Sequence, residues 1–83
     1  MTRQEILDQL TQIFQDILDV DDLVVTDALK ADDVEEWDSL SHIQLIVAIE
    51  KHWHIKFNAR EIMTWQNVGQ MVDTIVQLLA EGN

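Results

Sequence analysis

One serine lies where an acidic segment gives way to an aliphatic one, in EEWDSLSHIQLIVAIE, residues 35–50. Asp38, Ser39 and His42 contain the residue types of a hydrolase triad. Neighbouring side chains at a helix start point apart, however, and no glycine-rich loop is nearby to stabilise an oxyanion. The spacing therefore argues against Ser39 as a nucleophile and predicts no catalytic residue.

Two other clusters have residue types that bind metals. A calcium loop beginning at Asp19 needs glycine at its sixth position and glutamate at its twelfth, but those positions are Val24 and Lys30. His52 and His54 are two residues apart and lack a clear third ligand. We expect no metal site.

Two roles fit Ser39 better. Either Asp38 or Ser39 can cap the helix that follows, and because Asp38 suffices, the serine hydroxyl can be spared from capping. A helix N-terminus also offers free N–H donors and the positive end of the helix dipole, which stabilise a phosphodiester. Ser39 is thus a possible attachment point for a phosphate-linked group.

Composition limits the partners and the chemistry. The 83 residues suffice for one domain, 1–83, and 47% of them are hydrophobic, as in a folded protein. Residues 1–38 carry 12 acids and two bases, within a total net charge of −11, so we expect no nucleic-acid or membrane partner. The chain has no cysteine. The absence of a signal-like or transmembrane stretch predicts a cytoplasmic protein.

Periodicity predicts an all-α protein. Thr2 and Glu5 form a capping box before the first helical stripe, and Asn58 and Glu61 form a similar pair before a short helix ending near Thr64. The other two helices are predicted at Leu40 to about Trp53 and at Asn67–Gly82. Between the first two helices, residues 19–38 are interpreted as a long ordered loop whose anchors are Leu23, Val25, Leu29, Val34 and Trp37. The prediction is a small four-helix bundle with three longer helices and one short one.

The second helix has two apolar stripes, whose centres lie about 140° apart at 100° per residue. One stripe contains Leu45, Ile46, Ile49 and Trp53, and the other contains Leu40, Ile43 and Val47. One stripe should face the core, so the other is expected to form a docking surface. The alternative is a helix surrounded on both sides, which full burial of Val47 would indicate.

The arrangement of these motifs resembles the acyl carrier protein family. The matching residues are Asp38-Ser39-Leu40, Val25-Thr26-Asp27 with Leu29, the segment 43–50, Ile55-Lys56-Phe57, and Asn67-Val68 with Met71, Val72 and Ile75. Together they span nearly the whole chain. The tripeptide Asp38-Ser39-Leu40 alone is weak evidence for the family, but its position among four helices of the expected order is specific to it.

The resemblance implies a monomeric carrier with no catalysis of its own. Ser39 would receive a 4′-phosphopantetheine arm from coenzyme A through a magnesium-dependent transferase, and Asp38 would cap the helix and aid transferase recognition. The arm's thiol would hold acyl or aminoacyl groups as thioesters. Leu40, Ile43 and Val47, with Glu36 and Glu50, would meet partner enzymes that have basic patches, while Leu45, Ile46 and Ile49 would line the interior.

Two departures from the family pattern bear on the pathway. Glu36 stands where many fatty-acid carriers have glycine, two residues before the aspartate, and Glu50 is the single acid of the second helix. We therefore expect a stand-alone carrier for a specialised pathway, such as polyketide or modified amino-acid assembly. A non-covalent acidic interaction module remains the alternative, because it would share the same composition, charge and second apolar stripe.

Overall fold

The computed structural model describes residues 1–81, which form four α-helices and no strand. The helices are α1 (Arg3–Leu18), α2 (Ser39–Trp53), α3 (Ala59–Thr64) and α4 (Val68–Glu81). The predicted all-α bundle of three longer helices and one short helix is confirmed. The predicted end of the last helix at Gly82 lies outside the described residues. Within residues 1–81, no helix is long and apolar enough to cross a bilayer.

The predicted capping residues begin the helices. In α1, the Thr2 hydroxyl accepts from the Glu5 N–H at 3.1 Å and the Glu5 carboxylate accepts from the Thr2 N–H at 2.7 Å. Asn58 and Glu61 make the same reciprocal pair at the start of α3. The Asn67 side chain accepts from the Gln70 N–H at 2.9 Å. Asn67 therefore caps α4, which begins one residue later than predicted.

Helices α1 and α2 both end on a left-handed residue that is not glycine. Asp19 has φ of 58° and His54 has φ of 56°. Each residue's N–H still bonds to a carbonyl of the last turn, Gln15 in one case and Glu50 in the other. This conformation turns the chain sharply away from the helix axis and terminates both helices without glycine.

The core lies between α1, α2 and α4 and includes residues from the long loop. Its most deeply buried side chains, each at most 1% exposed, are Ile6, Leu10, Phe14, Leu45, Ile49, Val68, Met71, Val72 and Ile75. Helix α3 contributes no fully buried residue, and it meets the core through half-buried Ile62. Trp65, directly after α3, packs edge to face on Phe57 with ring centroids 4.9 Å apart.

The loop between α1 and α2 is ordered by contacts with α1. The Val25 N–H donates to the Thr11 hydroxyl at 3.1 Å, and the Gln15 side-chain amide donates to the Leu23 carbonyl at 2.9 Å. Val25, Val34 and Trp37 are buried, whereas Leu23 and Leu29 are half-buried. The predicted anchors are confirmed. The loop also contains a 3₁₀ turn, Ala31–Asp33, which was not predicted.

Arg3 joins three separate parts of the chain. Its guanidinium contacts the Asp27 and Asp73 carboxylates, each at 2.7 Å, and donates to the Gly69 carbonyl at 3.0 Å. Gly69 donates its own N–H to the Asp27 carbonyl at 2.9 Å. A Cβ on Gly69 would lie 3.1 Å from that same carbonyl oxygen, so a larger residue would push the loop and the helix apart by a few tenths of an ångström.

We expect Arg3→Ala to lower the free energy of unfolding by about 1 kcal/mol, because two ion pairs that are largely exposed are each worth a fraction of that amount. Urea denaturation measures the difference. Arg60→Ala is the matched control, since Arg60 is exposed and makes no side-chain hydrogen bond within residues 1–81. Equal stability of the two variants would contradict a joining role for Arg3.

Candidate functional site

Ser39 is the first residue of α2, and its side chain is exposed. Asp38 precedes it in extended conformation and caps the helix, with one carboxylate oxygen accepting from the Ser41 N–H at 2.9 Å. The hydrogen bonds from the backbone and the side chain of Ser41 lower the pKa of Asp38 below its usual value. Asp38 therefore stays ionised and does the capping, which leaves the Ser39 hydroxyl free.

A second serine in the same turn has the opposite environment. Ser41 is 8% exposed, and its hydroxyl oxygen accepts from the Asp38 N–H at 2.8 Å. The same hydroxyl lies 2.9 Å from the Glu36 carbonyl, to which it can donate. Sequence reasoning missed Ser41, although the spacing of Asp38 and Ser41 matches a capping box with serine in place of glutamate. Ser41 thus holds the loop against α2.

The hydrolase arrangement is not assembled. The Asp38 carboxylate is engaged by the Ser41 N–H, and the His42 Nδ1 accepts from the Trp37 indole N–H at 3.0 Å. The His42 and Trp37 rings are stacked with centroids 6.0 Å apart. Neither potential triad partner is available to polarise the Ser39 hydroxyl.

Trp37 connects this site to the core. It is 8% exposed and meets Phe14 edge to face, with centroids 5.0 Å apart and ring planes at 85°. The polar group of its side chain, the indole N–H, donates to His42. The residues on both sides of Ser39 are therefore fixed by a buried aromatic contact.

The stability of the fold should depend on pH through His42. Burial lowers the pKa of His42 from its ordinary value of 6.5. Since the unfolded chain then binds the extra proton more readily, the contribution of His42 to stability is complete above about pH 6.5 and is lost as pH falls through the folded-state pKa. We expect the free energy of unfolding, measured by urea denaturation, to decrease between pH 7 and the range where carboxylates begin to titrate.

The matched variants are His42→Gln, which removes this titration, and His52→Gln, which changes an exposed histidine. His42→Gln should flatten the decrease in stability, and His52→Gln should retain it. The same slope in both variants would assign the pH dependence to another group.

The second apolar stripe of α2 is exposed. Leu40, Ile43 and Val47 are 67%, 61% and 44% exposed, whereas Leu45 and Ile49 are completely buried. Ile46 and Trp53 are half-buried, so the core-facing stripe is less regular than predicted. Because Val47 is exposed, the alternative of a helix surrounded on both sides is wrong. We call Leu40, Ile43 and Val47 the apolar face of α2.

The two acidic residues predicted to assist docking differ in their surroundings. Glu36 is exposed in the loop beside Ser39. Glu50 is half-buried, and one of its carboxylate oxygens accepts from the Phe57 N–H at 2.9 Å. Glu50 therefore ties the segment after α2 back to that helix, a structural role that the sequence did not indicate.

Metal ligands do not come together in the part of the chain that the structure describes. No group of three or more His, Cys, Asp or Glu side chains is arranged to hold an ion there. His52 lies 2.7 Å from the Gln9 side chain, and His54 occupies the left-handed end of α2. The environment of Ser39 instead fits a covalent phosphate: its exposed oxygen stands at the positive end of a 15-residue helix.

Comparison with known proteins agrees with this geometry. Residues 8–75 match the sequence model of a family described as the phosphopantetheine attachment site. The fold is similar to the solution NMR structure of a holo acyl carrier protein from Geobacter metallireducens, with a TM-score of 0.86 and 44% identity over 90% of this chain and 86% of that chain. No curated protein sequence matches significantly. The chain therefore belongs to the acyl carrier protein family, whose members hold 4′-phosphopantetheine covalently and carry groups for other enzymes without being enzymes themselves.

Proposed function

We propose that Ser39 is the residue that holds the 4′-phosphopantetheine, and that the protein presents acyl or aminoacyl groups to partner enzymes. The observation that carries this proposal is the freedom of the Ser39 hydroxyl, which is exposed because Asp38 and Ser41 cap α2 without it. When bound, the prosthetic group supplies a terminal thiol for thioesters. The chain has no cysteine that could supply that thiol itself.

Attachment is a phosphoryl transfer in which Ser39 acts as the acceptor. Its oxygen forms a bond to the phosphorus of the phosphopantetheinyl group of coenzyme A, adenosine 3′,5′-bisphosphate leaves, and the hydroxyl proton passes to the transferase. We assign to Asp38 a part in transferase recognition, since its carboxylate is kept ionised one residue before the acceptor. The dipole of α2 stabilises the product phosphodiester.

We assign partner docking to the apolar face of α2, with exposed Glu36 and the acidic first half of the chain steering enzymes that have basic patches. Val47→Asp should then lower the kcat/KM of phosphopantetheinyl transfer at least about tenfold, a loss of about 1.4 kcal/mol in transition-state stabilisation. Stability should change little, because Val47 is 44% exposed.

Val76→Asp is the matched control for Val47→Asp. Val76 is 40% exposed and lies on α4. If both variants slow the transfer equally, the effect comes from added negative charge and the docking assignment is wrong.

We infer a specialised pathway from the departures around Ser39, where Glu36 and the buried Trp37 replace the usual residues and Glu50 is the single acid of α2. The high negative charge supports a monomer. The need for coenzyme A supports a cytoplasmic location. Efficient elongation of the loaded protein by a standard set of fatty-acid synthase enzymes would count against the specialised role.

The decisive experiment is incubation of the protein with coenzyme A, magnesium and a broad-specificity phosphopantetheinyl transferase, followed by mass spectrometry of the intact chain. We expect a mass gain of one phosphopantetheinyl group, located on the peptide containing Ser39. Absence of a gain would favour the non-covalent interaction module, which would use the apolar face of α2 without a prosthetic group. A gain on another residue would overturn the assignment of Ser39.

A further inference from the structure

A small pocket lies beside Ser39, where the loop before α2 approaches the start of α4. Trp37 and His42 line it from the two sides of Ser39 in the sequence, and Trp65, Gln66 and Asn67 line it from the connection between α3 and α4. Ala31 and Met71 complete the lining, and the volume is about 90 Å³. The pocket therefore combines aromatic surfaces with amide groups.

Hydrogen bonds hold the side chains that line this pocket. The Trp37 indole N–H bonds to His42, and the Trp65 indole N–H donates to the Thr74 hydroxyl at 3.0 Å. Gln70 accepts from the Gln66 N–H at 2.7 Å and donates its own N–H to the Asn67 side chain. Because these bonds fix both tryptophans and the connecting segment, the pocket is formed in advance and a ligand need not order it.

The pocket is small, and its lining residue His42 lies within one helical turn of Ser39. His42 follows Ser39 by three residues in α2, a spacing that puts their Cβ atoms about 5–6 Å apart. A cavity of about 150 Å³ holds benzene, so a pocket of 90 Å³ has room for about four non-hydrogen atoms. Another groove, lined by His54, Ile55 and Leu78, lies at the opposite end of α2, about 20 Å away along the axis at 1.5 Å per residue.

The first part of the phosphopantetheine arm has matching chemistry. After the phosphate and one methylene group comes a carbon with two methyl groups, followed by a hydroxyl-bearing carbon and an amide. A branched apolar group suits the aromatic lining that Trp37 and Trp65 provide, while the neighbouring hydroxyl and amide suit Gln66 and Asn67. The thiol end of the arm is much farther from the phosphate than one helical turn, so it lies beyond the pocket unless the arm folds back.

We propose that this pocket binds the dimethyl segment of the arm and so directs the path of the arm across the surface between α2 and α4. This inference rests on the proposed attachment at Ser39. The bound segment is common to every loaded form of the carrier, so the contact does not depend on the cargo. The arm then pivots beyond its dimethyl carbon and not at Ser39.

The test is NMR spectroscopy of the complete holo protein, isotopically labelled in the polypeptide and unlabelled in the arm. The two methyl resonances should shift from their positions in free coenzyme A, because ring currents of the adjacent indoles act on them, and should show nuclear Overhauser contacts to Trp37 and Trp65. Methyl resonances unchanged from free coenzyme A, without these contacts, would overturn the proposal.

Ala31→Leu and Ala59→Leu are matched variants of exposed alanines, of which only Ala31 lines the pocket. Ala31→Leu should fill the pocket and return the methyl resonances to their free positions, whereas Ala59→Leu should leave them shifted. Unchanged shifts in Ala31→Leu would overturn the assignment of the pocket.

The cargo is the competing occupant. If an acetyl-loaded protein shows contacts between the acyl methyl and Trp37 while the arm's own methyl groups stay free, the pocket is a cargo site and the proposal is wrong. Failure of the proposed function gives a different result, because no holo protein would then form and the intact mass would stay unchanged.

Discussion

Replacing Ser39 with alanine is expected to abolish attachment of the phosphopantetheinyl group completely. The fold should be nearly unaffected, with a change in the free energy of unfolding below about 0.5 kcal/mol, because an exposed side chain without a capping role is removed. Intact-mass spectrometry measures attachment, and urea denaturation measures stability. The variant therefore separates the acceptor function from the integrity of the site.

Ser41→Ala is the matched change in the same helical turn. Its effects should be the opposite of those of Ser39→Ala, because stability should fall while attachment is retained. It removes the hydroxyl that accepts from the Asp38 N–H and contacts the Glu36 carbonyl, so two part-buried backbone groups of the loop lose this partner. We expect a loss of about 1–2 kcal/mol in stability, with attachment at Ser39 retained. Loss of attachment in Ser41→Ala, with retention in Ser39→Ala, would move the acceptor to Ser41.

The largest effect on stability is expected from Trp37→Ala. Truncating a buried aromatic side chain costs about 3–5 kcal/mol, because apolar burial is lost and a cavity remains. Small domains have a total stability of only about 5–15 kcal/mol, so this variant should be close to unfolding. The lost contacts are the edge-to-face packing on Phe14 and the hydrogen bond to His42.

Trp53→Ala is the control for size, since Trp53 is a half-buried tryptophan whose indole lies 3.2 Å from the Met1 sulfur. It should lose clearly less stability than Trp37→Ala in urea denaturation. The loss of stability in Trp37→Phe should lie between the losses in Trp37→Ala and Trp53→Ala, because Trp37→Phe keeps an aromatic ring near Phe14 but removes the donor to His42. Equal losses in Trp37→Ala and Trp53→Ala would show that Trp37 has no special part in holding the loop.

Local sequence patterns were sufficient to predict the helices, because the capping residues at each helix start lie within four residues of one another. Thr2 with Glu5, Asn58 with Glu61, and Asp38 before α2 all act across a single turn. Asp38 and Ser41 have the same spacing, so this capping pair could also have been predicted from the sequence.

Other features depend on the tertiary path of the chain. Arg3 meets Asp27 and Asp73, which are 24 and 70 residues away, and nothing local distinguishes these carboxylates from the many others. Glu50 reaches the Phe57 N–H only because His54 reverses the chain in a left-handed conformation. Pattern alone gave two apolar stripes on α2. The family resemblance implied which of them faces the core, and the burial of Leu45 and Ile49 agrees with it.

The shallow packing of α3 has a consequence for access to the interior. Its six residues include none that is fully buried, and a helix of this length is not stable in isolation. Local unfolding should therefore begin there, at a free energy below that of global unfolding, and its amide hydrogens should exchange with solvent earlier than those of α1 or α4. Transient fraying of α3 would lift Ile62 off the core while the other three helices stay folded.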